Sequence, residues 1–193
     1  RNPWSDVGSV EALRIAGKHF VRAVTDASDA EARESLAWAA TLAGIAFGNA
    51  GVHLPHAMSY AVAGLVRDFR FPGYPQAEAM VPHGISVVVN APSVFRTTAA
   101  SSPERHLDAA RALGANVTGA GPADAGGLVS GALIDLMRAA RVPNGIGGVG
   151  YTDHDIESLA RGAIVQKRLV DNAPVHVDEA AMRSLFRGAL SYW

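Results

Sequence analysis

The stretch "GVHLPHAMSY", residues 51–60, sets two histidines three positions apart around a proline. A second stretch, "MVPHGISVVVN" at 80–90, places a third histidine directly after another proline. Proline lacks the backbone N–H that the first turn of a helix leaves without a partner, so both stretches read as helix starts. His56 and His83 then fall in the first turns of two helices, one from about Pro55 to Val66 and one from Pro82. Val87, Val88 and Val89 favour strand locally, but no turn chemistry nearby would close a hairpin. Helix is therefore expected through them, to a kink or stop at Pro92.

The rest of the chain agrees. From Val7 to Val24, residues Val10, Leu13, Phe20, Val21 and Val24 recur at three- and four-residue spacings, predicting one apolar helix face. Ser28 with Glu31 has capping-box spacing and opens a helix carrying Leu36, Ala39, Ala40, Ala43 and Phe47, which stops at Gly48, Asn49 and Gly51. Residues 70–82 form a loop by their prolines and glycine. Ser101 and Glu104 around Pro103 open a helix to about Leu113, and a second loop follows from Gly114. Further helices carry Leu128 to Met137, begin near Asp153 after Thr152, and run from Asp178 to Leu190. There is no low-complexity tract and no interior linker. The expected fold class is all-α, a helical bundle forming one domain over residues 1–193.

Composition bounds the function. Half of the 193 residues are hydrophobic, the net charge is −1, and no run of Lys or Arg suggests a nucleic-acid surface. No apolar run reaches membrane-span length, so neither nucleic acid nor membrane is expected as a partner. The absence of cysteine excludes a disulfide framework, a thiolate metal site and a thiol nucleophile, and fits a reducing compartment. "GIGGVG" at 145–150 matches G-x-G-x-x-G but follows a helix and a Pro-Asn turn, where the dinucleotide motif needs a preceding strand; a plain loop is expected. No G-x-S-x-G elbow is present. Thr152, Asp153 and Asp155 around His154 suit a helix start better than a chelate. His19, His106 and His176 stand among charged residues and are expected to face solvent.

His56 and His83 differ, each sitting among small apolar residues with His53 nearby. A histidine in that setting is either hydrogen-bonded in the core or a ligand. A divalent catalytic metal usually takes three or four protein ligands, often with a carboxylate. The nearest acids, Asp68 and Glu78, have the surroundings of surface residues, so these two stretches do not make a complete site.

"GIAFGNAGVHLPHAMSY", "MVPHGISVVVNAPSVF" and "PERHLDAARALGA", in this order, closely resemble the iron-containing alcohol dehydrogenase family, and within it the hydroxyacid-oxoacid transhydrogenase branch. The resemblance runs from "NPWSDVGSVEALRIAGKHFVRAV" to the last helix. It implies the C-terminal all-helical domain of that family (dehydroquinate synthase-like fold), with the N-terminal α/β nucleotide-binding domain absent from this chain. It implies iron(II), or zinc, held by one Asp and three His. Two of these match His56 and His83, and the other two are expected upstream of Arg1. Residue 1 is Arg rather than Met, so a piece of a longer protein is expected. Many alcohol dehydrogenases of the family carry a histidine four residues after the first ligand. Tyr60 stands there, as in the transhydrogenase branch, so a relay role given to that histidine does not carry over. Tyr60 and His53 are the candidates for contact with substrate or nicotinamide.

The implied chemistry is NAD-linked oxidation of a small hydroxy acid, 4-hydroxybutyrate to succinate semialdehyde, with the hydride returned to 2-oxoglutarate as 2-hydroxyglutarate. Arg67, Arg70, Arg96 and Lys167 are candidate partners for the substrate carboxylate. The alternatives are a general alcohol or glycerol dehydrogenase, or a non-catalytic helical binding module. The face left by the absent domain would be apolar and prone to self-association, so a homo-oligomer is a possible partner state. The compartment expected is the cytoplasm, or the mitochondrial matrix in a eukaryote.

Overall fold

A computed structural model describes residues 2–193. Ten α-helices run through them: α1 (Pro3–Thr25), α2 (Ala30–Ala50), α3 (Leu54–Gly64), α4 (His83–Val88), α5 (Ala91–Thr98), α6 (Pro103–Ala112), α7 (Ala125–Ala139), α8 (Ile156–Ile164), α9 (Lys167–Val170) and α10 (Glu179–Gly188). No strand occurs among the described residues, and no single helix there is long and apolar enough to cross a membrane. The chain divides into two compact helical units, residues 1–51 with 98–141, and residues 52–97 with 142–193.

In the first unit, α1 and α2 pair along their length. Asn2 caps α1 by accepting a hydrogen bond from the Ser5 N–H, and Pro3 occupies the first turn. The cap of α2 is Asp29, accepting from Ala32 at 3.0 Å, and not Ser28, whose hydroxyl is taken by Asp26 at 2.6 Å. The seam is built at positions seven residues apart, Ser5, Ala12 and His19 on α1 against the small Ala32, Ala39 and Ala46 on α2. Seven residues is two helical turns, so such a series keeps to one face. The expected apolar face of α1 is only partly covered: Leu13, Phe20 and Val21 are half-buried, whereas Val10 and Val24 are exposed. The expectation that His19 faces solvent is also corrected. It is buried on the seam, seven residues after Ala12, with its Nδ1 3.4 Å from Arg22 Nη1. Arg22 in turn holds both oxygens of Asp29, at 2.8 and 3.0 Å.

His106 is likewise half-buried rather than solvent-facing, its ring bridging Thr98 Oγ1 at 3.1 Å and the Ser102 carbonyl at 2.8 Å. The end of α6 lies on α1 at Gly17, where an added Cβ would come within 2.7–2.9 Å of the backbone of Ala112 and Leu113.

The second unit holds the larger apolar core, with Leu54, Met58 and Val62 of α3 packed among Leu159 of α8, Met182 and Phe186 of α10, and Ile146 and Ile156. Thr152 and Asp155 form the expected capping box, the Thr152 N–H donating to Asp155 at 2.8 Å, and α8 follows. Asp178 caps α10 by accepting from Ala181 at 2.8 Å. "GIGGVG" is a loop with one turn of 3-10 helix, as expected. Its backbone pairs with the C-terminal segment, Ile146 N–H donating to Ala189 at 2.8 Å and Gly147 N–H to Leu190 at 3.0 Å. A side chain at Gly145 or Gly147 would strike those carbonyls, so the glycines serve packing. The helix through the three valines exists but ends at Val88, and Pro92 lies in the first turn of a new helix, α5. The short α9 was not expected.

Candidate metal centre

Two short copies of one motif build the site. "LPHAMS" at 54–59 and "VPHGIS" at 81–86 share the pattern proline, histidine, two residues, serine. Pro55 lies in the first turn of α3, and Pro82 is the residue capping α4, which begins at His83. In each copy the serine hydroxyl donates to the carbonyl of the histidine three residues back, Ser59 to His56 at 2.8 Å and Ser86 to His83 at 2.8 Å. Both serines are buried. A hydroxyl bonded to the preceding turn satisfies itself locally, so these serines enter the core without an open polar group. Their contribution was missed in the sequence, although the repeated Pro-His-x-x-Ser pattern is its readable signal.

Helices α3 and α4 pack together. The rings of His56 and His83, 27 residues apart in sequence, stand with centroids 5.4 Å apart and planes tilted by 57°. His56 is half-buried and His83 exposed. Burial, and secondly the charge of His83 beside it, push the His56 imidazole below its ordinary pKa. A neutral ring keeps a lone pair for a metal, and neutral imidazole suits a borderline cation. A metal–nitrogen distance of about 2 Å puts the centres of two imidazoles sharing one ion roughly 5 Å apart, so the pair fits such an ion. It is a partial set: among the described residues no group of three or more His, Cys, Asp or Glu could hold a metal, and Asp68 and Glu78 are exposed as expected.

His53 stands at the N-cap position of α3 without a side-chain capping hydrogen bond, and its ring meets Phe95 edge-on, ring centroids 5.8 Å apart. Tyr60 lies one turn past His56 on α3, 52% exposed, at the mouth of a groove shared with α8. His154 and His176 are exposed. Two of the expected carboxylate partners are already engaged. Arg67 holds Asp155 at 2.7 and 3.2 Å and the Gly150 carbonyl at 2.5 Å, and Arg70 donates to the Gln76 and Ala77 carbonyls. The Arg67 guanidinium draws the Asp155 carboxyl down to about 2.

Fold and site together define an all-helical domain that presents paired histidines from the first turns of two abutting helices. A sequence profile described as Fe-containing alcohol dehydrogenase family, C-terminal, matches residues 1–190, and the chain belongs to that family. The mitochondrial hydroxyacid-oxoacid transhydrogenase of Rattus norvegicus is 43% identical over 192 residues, which take in 100% of this chain and 41% of the rat protein. The probable counterpart of Dictyostelium discoideum is 39% identical over 193 residues, 100% of this chain and 35% of that protein. Among solved structures, 1,3-propanediol oxidoreductase superposes with a TM-score of 0.85 at 29% identity, over 97% of this chain and 46% of that one. The chain thus spans about two fifths of the length of the curated relatives it matches.

Proposed function

We propose that this chain is the metal-holding half of an NAD-linked oxidoreductase of small hydroxy acids, a hydroxyacid-oxoacid transhydrogenase. The observation that carries the reading is the meeting of His56 and His83. The identity of about 40% over the whole chain to proteins of that name supports the branch. His56 and His83 would each supply a ring nitrogen to iron(II) or zinc, with an Asp and a third His contributed from outside this sequence. When bound, the ion supplies a Lewis acid toward the substrate's hydroxyl oxygen. Burial, and secondly the charge of His83, disfavour the imidazolium of His56, which favours the neutral ring that a metal needs. Tyr60 and His53 orient the reacting groups, Tyr60 as a hydroxyl donor one turn from the ligand. A nicotinamide held by a separate nucleotide-binding domain would supply the hydride acceptor, and the oxidation of 4-hydroxybutyrate to succinate semialdehyde would be balanced by the reduction of 2-oxoglutarate to 2-hydroxyglutarate. The compartment follows the relatives, which are named as mitochondrial.

The test is a substrate panel on the polypeptide that carries both domains. Conversion of 4-hydroxybutyrate with 2-oxoglutarate into succinate semialdehyde and 2-hydroxyglutarate, without added free NADH, is the expected result. NADH release from simple alcohols or glycerol, with no oxo-acid exchange, would make it a general alcohol dehydrogenase. Absence of bound metal would leave a helical binding module.

A further inference from the structure

The groove beside Tyr60 has a composition of its own. It is a shallow groove of about 340 Å³ between α3 and α8, with Tyr60, Leu65, Ser158 and Arg161 exposed along it. Gly64, Leu65 and Gly162 give it a small apolar floor, and Tyr60, Arg161 and Gln166 bring hydrogen-bond donors to it. The helices come this close because of Gly162, where an added Cβ would already be 3.2 Å from Ala61.

Arg161 differs from Arg67 and Arg70 in its commitments. Its ion-pair partner is Glu157 at 3.8 Å, and Glu157 also takes Arg183 at 3.3 Å. Arg161 is 66% exposed, so its guanidinium keeps donors for a planar anion, which Arg binds in a two-pronged fashion. Tyr60 lies four residues beyond His56, about 6 Å along the helix axis and nearly on the same face. A four-carbon hydroxy acid spans roughly 6 Å from hydroxyl to carboxylate at bond lengths near 1.5 Å.

We propose that this groove is the carboxylate subsite, with Arg161 as the anchor that selects short hydroxy acids over simple alcohols. The inference rests on the hydroxy-acid reading of the histidine site and adds the residue that recognises the acid. A short aliphatic chain lies on the floor, and its charged end reaches Arg161, assisted by Gln166. Specificity of this kind is a difference: a diol of the same length gains the floor and forgoes the ion pair.

The experiment uses the 193-residue chain, labelled with nitrogen-15 and titrated with 4-hydroxybutyrate or butane-1,4-diol without metal or nucleotide. The acid is expected to shift the amide signals of Ser158, Gly64 and Gly162 and the Arg161 Nε–H, with Kd in the millimolar range. The diol should bind at least fivefold more weakly. Arg161→Gln should remove that preference and Arg161→Lys keep part of it, while Arg183→Gln, altering the other cation on Glu157, should change nothing. Shifts confined to other regions, equal affinity for the diol, no binding of the acid, or unchanged affinity in Arg161→Gln would each overturn the proposal. Because the readout needs neither hydride transfer nor a metal, failure of the oxidoreductase reading and failure of this subsite give different results.

Discussion

Each of the two histidines is presented by a proline that starts its helix and a buried serine that ties its carbonyl to the next turn. A candidate ligand of this kind is separable from the fold, because neither ring is fully buried. In the polypeptide carrying both domains, His56→Ala or His83→Ala is expected to abolish stoichiometric metal and most turnover while leaving the helical circular-dichroism spectrum, and the melting temperature compared in the metal-free state, close to the parent. Full metal content with a lowered melting temperature would identify a structural histidine instead. Asp155 gives a pH-dependent counterpart away from the histidines. Its carboxyl, held down chiefly by Arg67, has a folded pKa of about 2 against an ordinary 3.8. A depressed carboxyl stabilises the fold fully above its unfolded value and loses that contribution as pH falls toward the folded one. Arg67→Gln should therefore flatten the fall in stability between about pH 4 and about pH 2, as read from melting temperatures; an unchanged acid limb would show that the pair contributes nothing. Of these residues, the histidines were legible because Pro-His in a polar-poor stretch is unusual. The Arg67–Asp155 pair was not, since its partners lie 88 residues apart in sequence.

At the scale of helices, small residues decide where the elements approach. Gly17→Ala replaces a poor helix former by the best one, a local gain of about 1 kcal/mol. The added methyl, however, would sit within 2.9 Å of the backbone of Ala112 and Leu113, and backbone cannot rotate away as a side chain can. Overpacking of this kind costs roughly 1–3 kcal/mol, so the substitution is expected to destabilise the first unit, seen as a lower denaturant midpoint. A stabilised variant would mean that α6 moves off α1 freely. The same feature explains why the helices were legible and their faces were not. Proline, glycine and capping residues gave most element positions to within a few residues; α9 was too short to leave a signal, and α5 begins where Pro92 reads as a kink or stop. Periodicity in Val, Leu and Phe marks only part of the covered face of α1: Leu13, Phe20 and Val21 are half-buried and Val10 and Val24 lie outside, because the hairpin closes on Ser5, Ala12, Ile15 and His19. His19 looked like a surface residue by its charged neighbours in sequence. It is buried because it lies two helical turns beyond Ala12.

Over the whole molecule, the candidate site residues are unevenly distributed. His53, His56, Tyr60, His83 and Arg161 all belong to the unit formed by residues 52–97 and 142–193, and the α1–α2 hairpin belongs to the other. Two imidazoles are fewer than the three or four ligands a catalytic ion takes. A ligand stabilises the folded state by RT ln(1 + [L]/Kd), so a weakly held ion at a concentration near its Kd changes the melting temperature little. The 193-residue chain by itself is therefore expected to bind zinc or iron(II) weakly and to produce no NADH from NAD and 4-hydroxybutyrate. In hydrogen exchange, excess zinc should slow the amides of α3 and α4, where the two histidines sit, and leave those of α1 and α2 unchanged. His83→Ala should abolish that protection. Tight stoichiometric metal with turnover in this chain would mean that His56 and His83 find their remaining ligands within residues 1–193, and the division of the site between this domain and a second one would have to be abandoned.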